Sequence, residues 1–311
     1  MTSEALIAAT VLTPLGPVTV RCSARRLGDE AVVLLHGAAG SWTTWLPLLE
    51  AARRRGEPLH DVVLVDLPGW GATPLPPHGR SVDAYGRAVA EVLRALGYDR
   101  WHAVGHSLGG VIALHLASIE PAATLSVGLV SPTTFSIARA ARHPVRGLRR
   151  AAPFVALRAA MITMAALSPT GTGTARALAA FRRLHLLRPI FAPLFVRPSQ
   201  VPAAVLETLA AEVRPAAFAA AARALADYRP GARWAGIRCP VVSVRGARDV
   251  FVSADDDRML RRTIEGAVTR VLPDAGHFAH IESPDAVLDA LGAPLGGIRS
   301  GRAGACARAR G

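Results

Sequence analysis

The sequence predicts an α/β protein with a mostly parallel, eight-stranded sheet, helices on both faces and an inserted helical cap. Over residues 1–131, short apolar segments of strand length alternate with segments of helical periodicity, which is typical of a parallel sheet. The alternation stops over residues 132–230, which are rich in Ala, Leu and Arg and contain no convincing strand. It resumes over residues 231–292, so a helical insertion is predicted to interrupt a single core.

The first strands are predicted where apolar or β-branched runs are bounded by turn residues. Residues 6–12 and 18–22 flank a Pro- and Gly-containing turn and form a predicted hairpin. Residues 31–35 are continuously apolar, as expected of a strand that is buried on both faces. Further strands are predicted at residues 61–65, 101–104 and 125–130.

Helices are predicted between these strands from apolar spacing and from capping residues. Residues 41–55 have helical length, and Ser41 is the candidate N-cap. In residues 81–96 the apolar side chains recur at helical spacing, from Val82 to Leu96. A third helix is predicted over residues 111–119.

Beyond the insertion, the predicted order is strand, helix, strand, helix, over residues 240–244, 255–265, 268–272 and 283–291. Three consecutive aspartates, residues 255–257, fit the first turn of the earlier helix, where acidic side chains favour the helix dipole. Residues 293–311 are rich in Gly, Arg and Ala, and we expect a disordered basic tail there.

The most informative motif is Gly-x-Ser-x-Gly at Gly105, Ser107 and Gly109, between a predicted strand and a predicted helix. Such a turn is so tight that side chains two residues on either side of the serine would collide. The turn lifts the Ser107 hydroxyl clear of the sheet. It also leaves the Leu108 amide at a helix N-terminus, where it can face a developing oxyanion. Ser107 is therefore the candidate nucleophile.

A serine hydroxyl needs a base to take its proton and a carboxylate to orient that base. In an open α/β sheet, these groups belong on loops at the carboxyl ends of strands. Asp249 and His277 end the loops after two predicted strands, so they are the candidate acid and base. The alternative base is His280, and the alternative acids are Asp255, Asp256, Asp257 and Asp274.

Five motifs in this order resemble the α/β-hydrolase superfamily, in the branch with a serine nucleophile and a helical cap. They lie at residues 36–40, 66–71, 105–110, 246–249 and 276–278. The resemblance covers residues 5–131 and 235–292. The cap resembles no family closely enough to transfer a substrate.

The resemblance assigns roles to the residues that match those motifs. It implies that Ser107 is the nucleophile, Asp249 the acid and His277 the base. It further implies that the backbone amides of Ala38 and Leu108 form an oxyanion hole.

Two further side chains are predicted to bind substrate. His106 precedes the candidate nucleophile, and its alternative role is structural. Trp45 lies three residues after Trp42 in the segment that follows residues 36–40. The alternative for this pair is packing in the hydrophobic core.

Positive charge is concentrated in the predicted cap. The chain has a formal net charge of +13, and the interval between Glu120 and Glu207 holds eleven arginines and no acidic residue. The simplest interpretation is a solvated basic face, with Arg139, Arg142, Arg146 and Arg149 at helical spacing. Alternatively, one or two arginines bind an anionic group of the substrate. An acidic carrier protein or an anionic membrane surface are further partners that such charge fits.

Composition argues against several classes of function. Aromatic residues are only 5% of the chain and no nucleic-acid-binding motif is present, so no nucleic-acid partner is expected. The histidines show no metal-ligand spacing, so neither a metal nor a cofactor is predicted. Three widely separated cysteines, no signal-peptide pattern and no long apolar stretch suggest a cytoplasmic protein without a transmembrane segment.

Together these features predict an enzyme that hydrolyses an ester, thioester or lactone bond of a small, partly hydrophobic acyl substrate through an acyl-enzyme. A second candidate reaction is hydrolysis of a carbon–carbon bond in a vinylogous diketone acid, since members of a similar family use the same triad. An acyltransferase and a non-catalytic ligand-binding protein are two more candidates.

Overall fold

The computed structural model describes residues 5–147, 151–167, 172–183, 185–292 and 295. The predicted disordered tail, residues 293–311, lies outside the described residues except for Leu295. Arg149, which belongs to the predicted basic face, also lies outside them.

A single eight-stranded sheet forms the centre of the protein, with the strand order β1-β2-β4-β3-β5-β6-β7-β8. The strands are β1 Leu6–Thr13, β2 Gly16–Ser23, β3 Glu30–Leu35, β4 Val62–Val65, β5 Arg100–His106, β6 Thr124–Val130, β7 Val241–Gly246 and β8 Val268–Leu272. The β1–β2 hairpin is antiparallel, and β2 pairs antiparallel with β4. Every pairing from β4 to β8 is parallel, which confirms the predicted fold class.

Helices cover both faces of the sheet, and the insertion is also helical. In the described residues they are α1 Leu46–Arg54, α2 Val82–Ala95, α3 Leu108–Ile119, α4 Phe135–Arg142, α5 Pro144–Gly147, α6 Ala152–Leu167, α7 Thr172–Arg183, α8 Leu187–Phe191, α9 Ala203–Ala211, α10 Pro215–Asp227, α11 Gly231–Ala235, α12 Ala254–Thr263, α13 Ala279–Glu282 and α14 Pro284–Leu291. Helices α4–α11 all lie between β6 and β7, where the sequence predicts the insertion.

The strand β3 shows how the core is divided. Because successive side chains of a strand point to opposite faces, Val33 and Leu35 pack with α2 and α3, whereas Val32 and Leu34 pack with α1 and α14. Both faces are buried, so the strand is apolar throughout rather than alternating.

Several predicted helix boundaries differ from the structure, each for a local reason. Ser41 precedes a short 3₁₀ turn and makes no side-chain cap, and α1 begins at Leu46. The third helix begins at Leu108 rather than at residue 111, directly after the serine turn. The final predicted helix, residues 283–291, agrees with α14, which begins at Pro284, while the short helix α13 before it is not predicted.

The aspartates of residues 255–257 lie in the first turn of α12, as predicted. Ser253 and Asp256 form a capping box there, in which each side chain accepts a hydrogen bond from the backbone amide of the other residue. Asp256 also accepts hydrogen bonds from the Ser136 amide and hydroxyl, at 2.8 and 2.6 Å, and so joins α12 to the start of α4.

The helices of the insertion cover one end of the sheet and are bonded to its loops. Glu212, between α9 and α10, accepts a hydrogen bond of 2.9 Å from the amide of Gly71. Arg214 donates to the carbonyl oxygen of the same residue at 2.8 Å. These bonds hold the insertion against the loop that follows β4.

Candidate active site

Ser107 occupies a strained turn between β5 and α3. Its backbone has φ of 52° and ψ of −115°, a conformation that non-glycine residues rarely adopt. A Cβ atom at Gly105 would lie 2.2 Å from the carbonyl oxygen of Gly109, and one at Gly109 would lie 2.1 Å from that of Leu35. Glycine is therefore required at both positions, as the sequence predicts.

A continuous hydrogen-bonded chain joins Ser107, His277 and Asp249. The Oγ atom of Ser107 is 3.1 Å from Nε2 of His277. Nδ1 of His277 is 3.0 and 3.1 Å from the two carboxylate oxygens of Asp249. Because Nδ1 can only donate to a carboxylate, a neutral His277 presents Nε2 as an acceptor to the serine hydroxyl. This arrangement can move the serine proton to the imidazole.

Asp249 is held as an anion inside the protein. Burial acts to raise the pKa of its carboxyl, but His277 and the Phe251 amide outweigh it, so the pKa lies below the ordinary value. The amides of Phe251 and Val252 donate to one carboxylate oxygen at 2.8 and 3.1 Å. A buried negative charge beside the imidazole can stabilise an imidazolium as it forms.

The four alternative acids are bonded elsewhere. Asp257 pairs with Arg245 at 2.7 Å, and Asp274 pairs with Arg197 at 3.4 Å. Asp255 pairs with Arg258, while Asp256 is used in the capping box of α12. None of these four carboxylates is bonded to His277 in the described part of the chain.

The alternative base, His280, is fully buried beside Trp45. Its ring packs 4.6 Å from the ring of Trp45, and neither ring nitrogen has a hydrogen-bond partner among the described residues. Burial, together with the charge of His277, lowers its pKa to about 3. His280 is therefore neutral at ordinary pH and does not reach Ser107.

Two backbone amides beside Ser107 are free to bind an oxyanion. Ala38 and Leu108 both line the cavity that contains the serine, and neither amide donates to an acceptor among the described residues. Leu108 is the first residue of α3, so its amide lies at the positive end of the helix dipole, which favours a negative charge at this point.

The loop that carries Ala38 is held by two neighbours. A Cβ atom at Gly37 would lie 2.8 Å from Cβ of Ser107, so only glycine permits this approach. His36 holds the same loop through both ring nitrogens. Its Nδ1 lies 2.7 Å from the carbonyl oxygen of Gly37, and its Nε2 accepts a hydrogen bond of 2.9 Å from the Leu67 amide. Burial lowers the pKa of His36, consistent with this neutral, structural role.

Trp45 and His106, the two residues predicted to bind substrate, are both buried. Trp45 is fully buried in the core cluster on the α1 and α14 side of the sheet. His106 is also buried; its ring centre lies 4.9 Å from that of His277, with the planes tilted by 54°, and its Nε2 donates to the His277 carbonyl oxygen at 3.0 Å. Neither side chain is among the residues that line the cavity, and their surroundings match the structural alternative given for each.

The cavity above Ser107 has a volume of about 110 Å³ and is almost entirely apolar. Its polar side chains are Ser107, His277 and Thr133. Helices of the insertion supply most of the wall, including Ile137, Phe154, Leu157, Met161, Phe191 and Phe218.

No arginine among the described residues lines this cavity, so the alternative in which a cap arginine binds an anionic group of the substrate finds no support there. Arg142 instead donates to the carbonyl oxygens of Ala226 and Tyr228, at 2.9 and 3.0 Å, and ties α4 to the end of α10. Arg139 points toward Met259 of α12.

The carboxylate of Glu282 joins the insertion to the loop that carries His277. No motif of the sequence reveals this role. Glu282 accepts from the amides of residues 196–197, at 2.6 and 3.0 Å, and from the Gly276 amide at 2.7 Å. The His277 amide itself donates to the carbonyl oxygen of Leu194 at 3.0 Å. The candidate base is therefore positioned partly by the insertion, through contacts between residues that are distant in sequence.

The described residues contain neither a metal-binding cluster nor a membrane-spanning helix. No group of three His, Cys, Asp or Glu side chains in them is arranged to hold a metal ion. None of their helices is long and apolar enough to cross a membrane.

The fold and the serine–histidine–aspartate arrangement are those of a hydrolase. Residues 32–290 match the family model described as the alpha/beta hydrolase family, and the chain belongs to that family.

Individual relatives differ in what they do. The chain is 26% identical over 293 residues to the dihydrolipoyllysine-residue acetyltransferase component of the acetoin cleaving system of Cupriavidus necator, covering 90% of this chain and 67% of that protein. It is 32% identical over 135 residues to a 2-hydroxy-6-oxononadienedioate/2-hydroxy-6-oxononatrienedioate hydrolase of Cupriavidus pinatubonensis, covering 42% of this chain and 45% of that protein.

A solved structure shows the same fold. The chain matches a hydrolase from Pseudomonas aeruginosa PA01 with a TM-score of 0.68 and 22% identity, covering 93% of this chain and 98% of that one. At this identity the likeness concerns the fold and does not extend to the substrate.

Proposed function

We propose that the protein is a serine hydrolase that cleaves an ester, thioester or lactone bond through an acyl-enzyme, with Ser107, His277 and Asp249 as its catalytic triad. The observation that carries the proposal is the Ser107–His277 hydrogen bond of 3.1 Å at the bottom of an apolar cavity beside two free amides. Nucleophile, base and oxyanion donors thus meet at one point where a carbonyl can be placed.

Acylation starts when Nε2 of His277 accepts the Ser107 proton while Oγ attacks the carbonyl carbon of the substrate. The carbonyl π electrons move to oxygen, and the amides of Ala38 and Leu108 donate hydrogen bonds to the resulting oxyanion. Each donor is worth about 3 kcal/mol of the barrier. The tetrahedral intermediate then collapses and expels the alcohol or thiol, which takes its proton from His277.

Deacylation repeats these steps with water as the nucleophile. His277 accepts a proton from the water as its oxygen attacks the acyl carbon, and the same two amides stabilise the oxyanion. Collapse releases the carboxylic acid and returns the proton to Oγ of Ser107. Asp249 keeps its charge throughout and stabilises the imidazolium of each tetrahedral stage.

The cavity favours an uncharged, apolar acyl group. Phe154, Leu157 and Met161 offer only hydrocarbon and thioether surface, and Thr133 is the one polar wall residue besides the reacting pair among the described residues. A charged acyl group placed there would lose its hydration without gaining a partner.

Carbon–carbon bond hydrolysis is the second candidate, because the Cupriavidus pinatubonensis relative is named for that class of substrate. Such a dienoate carries carboxylates, whereas no arginine lines the described cavity. The composition of the wall therefore favours the ester, thioester or lactone over the dienoate.

The test compares hydrolysis of p-nitrophenyl esters, from acetate to octanoate, by the wild-type protein and by Ser107→Ala. We expect turnover of the esters by the wild type and a loss of about 10⁴-fold or more in the variant. Turnover of a dienoate without ester activity would assign the second candidate. Ester formation with an added alcohol, in preference to hydrolysis, would assign acyl transfer instead.

A further inference from the structure

A second cleft lies between the insertion and the core. One wall is formed by α4 and α5, and the other by α12. Its volume is about 1020 Å³, and none of the described residues that line it also lines the cavity above Ser107. Clefts of about 300–1,000 Å³ are typical of sites that bind small molecules.

Basic side chains lie on both walls of this cleft. Arg139, His143 and Arg146 belong to the insertion, and Arg258 and Arg262 belong to α12. All five side chains are exposed, so a ligand can reach them. We name this site, defined by these five residues, the basic cleft.

The described residues that line the basic cleft include two carboxylates, and both are already bonded. Asp255 forms an ion pair with Arg258. Asp256 is 2% exposed and accepts hydrogen bonds from Ser136 and from Ser253, so it is tied to the two walls. Neither carboxylate is therefore available to the other arginines of the cleft.

Three arginines of the basic cleft, Arg139, Arg146 and Arg262, form no ion pair with a carboxylate of the described residues. Arg139 reaches from α4 to α12, where its guanidinium donates to the sulfur atom of Met259 at 3.4 Å. Arg262 follows Met259 by about one turn of the same helix. Arginines of the two walls therefore approach each other without a carboxylate partner. An anion bound between them would remove their mutual repulsion.

We propose that the basic cleft binds a small molecule that carries two or more phosphate groups. The planar guanidinium group bonds phosphate in a two-pronged way, and arginines on both walls can hold more than one phosphate. Ala140, Ala151 and Met259 also line the cleft, and they offer apolar surface to an uncharged part of the ligand, such as the base of a nucleotide. A cleft between two helices does not admit the flat surface of a membrane.

The basic cleft and the active-site cavity are built from neighbouring residues of the same segments. Ile137 of α4 lines the cavity, whereas Ser136 and Arg139 line the cleft. Likewise Phe251 lines the cavity, and Ser253, two residues later, lines the cleft. A ligand in the cleft would bridge the insertion and the core, so it should stabilise the folded protein. The proposal does not depend on the proposed hydrolase activity, since it concerns a different set of residues.

The test is isothermal titration calorimetry of the full chain with ATP, tripolyphosphate and adenosine, in buffer without divalent metal ions. We expect ATP to bind with a Kd below about 1 mM and adenosine to bind at least about tenfold more weakly. The affinity for ATP should fall several-fold between about 0.05 and 0.2 M salt. A lower Kd for ATP than for tripolyphosphate would support the cleft as a site for an organic phosphate. Equal values would support it as a site for inorganic polyphosphate.

Paired variants test the two walls together. Arg139→Gln with Arg262→Gln removes one arginine from each wall and should weaken ATP binding at least about tenfold. Arg139→Lys with Arg262→Lys keeps the charge but loses the two-pronged bond, and it should weaken binding by only about threefold to fivefold. ATP should raise the Tm of the wild type but not that of the glutamine variant.

The matched control is Arg25→Gln with Arg80→Gln, which removes the same charge at exposed positions outside the cleft. Its Kd for ATP should stay within about twofold of the wild-type value. Ser107→Ala should bind ATP as the wild type does, so failure of phosphate binding and failure of hydrolysis are distinguishable.

Three results would overturn the proposal. The first is that the wild type binds neither ATP nor tripolyphosphate. The second is that adenosine binds as tightly as ATP, since phosphate would then contribute nothing. The third is equal loss of ATP binding in the glutamine variant of the cleft and in the control, because the attraction would then come from the net charge of +13 and not from the cleft.

Discussion

The core and the insertion contribute to the candidate site in different ways. The core supplies the reacting groups on loops that pack so closely that Gly37, Gly105 and Gly109 have no room for a Cβ atom. The insertion supplies a wall of exchangeable apolar side chains around the cavity, such as Leu157 and Phe218. The chemistry is thus fixed by backbone geometry, while the choice of substrate depends on side-chain packing.

This comparison predicts that changes in the core abolish the reaction, whereas changes in the insertion redirect it. The strongest case is Asp249→Asn, which keeps the shape of the side chain but can hold His277 in the wrong tautomer. We expect kcat to fall about 10⁴-fold. Ester hydrolysis checks this, with Asp274→Asn as the control because its carboxylate lies outside the triad and pairs with Arg197. Comparable activity of Asp249→Asn and the control would remove Asp249 from the mechanism.

Glu282→Gln tests the contact between the two regions. The variant replaces one acceptor oxygen by a donor NH₂ group, so either the Gly276 amide or the amides of residues 196–197 lose their partner. We expect kcat to fall about tenfold with little change in KM, because a displacement of His277 affects the reacting geometry. The rate of fluorophosphonate labelling should fall in parallel. Glu265→Gln, at an exposed position, is the control.

Leu157→Ala tests whether the insertion selects the acyl chain. Removing this wall residue enlarges the cavity, and the ratio of kcat/KM for octanoate over butyrate should rise about tenfold. Ile162→Ala, on the outer side of the same helix, should leave that ratio unchanged. If both variants shift chain-length preference equally, the insertion does not select the substrate through this wall.

The last prediction concerns stability at acidic pH and not the reaction. Burial lowers the pKa of His280 from 6.5 to about 3, so the unfolded chain binds a proton that the folded protein does not bind in that interval. The stability is therefore complete above about pH 6.5 and declines as the pH falls toward 3, by about 1.4 kcal/mol per pH unit. His280→Phe keeps a ring against Trp45 and should make this decline shallower by that amount in urea titrations. An unchanged slope would mean that His280 is not the group that resists protonation.

The sequence predicts the core well because its requirements are local. The strand before Ser107, the glycines around it and the loops that carry Asp249 and His277 can all be found without knowing the packing. The roles of Trp45 and His106 depend on which side of the sheet each ring occupies, which motif spacing does not indicate. Likewise Glu282 bonds to amides 85 and 86 residues away, and no local pattern marks such a partner.

The residues that line the cavity cannot be predicted from the sequence either, because no local pattern marks them. In α6 the residues Phe154, Leu157 and Met161 face inward, but the helix is apolar all round and its periodicity does not distinguish an inner face. The arginines of the insertion likewise show no periodicity that distinguishes an inner from an outer position, because their contacts depend on how the helices pack.

The most direct test of the account is the site of covalent labelling by a fluorophosphonate, read by peptide mass spectrometry. We expect one adduct per chain, on Ser107, with labelling abolished in Ser107→Ala and strongly slowed in His277→Ala. An intact protein that remains unlabelled, or an adduct on another residue that persists in Ser107→Ala, would contradict the assignment of Ser107 as the nucleophile.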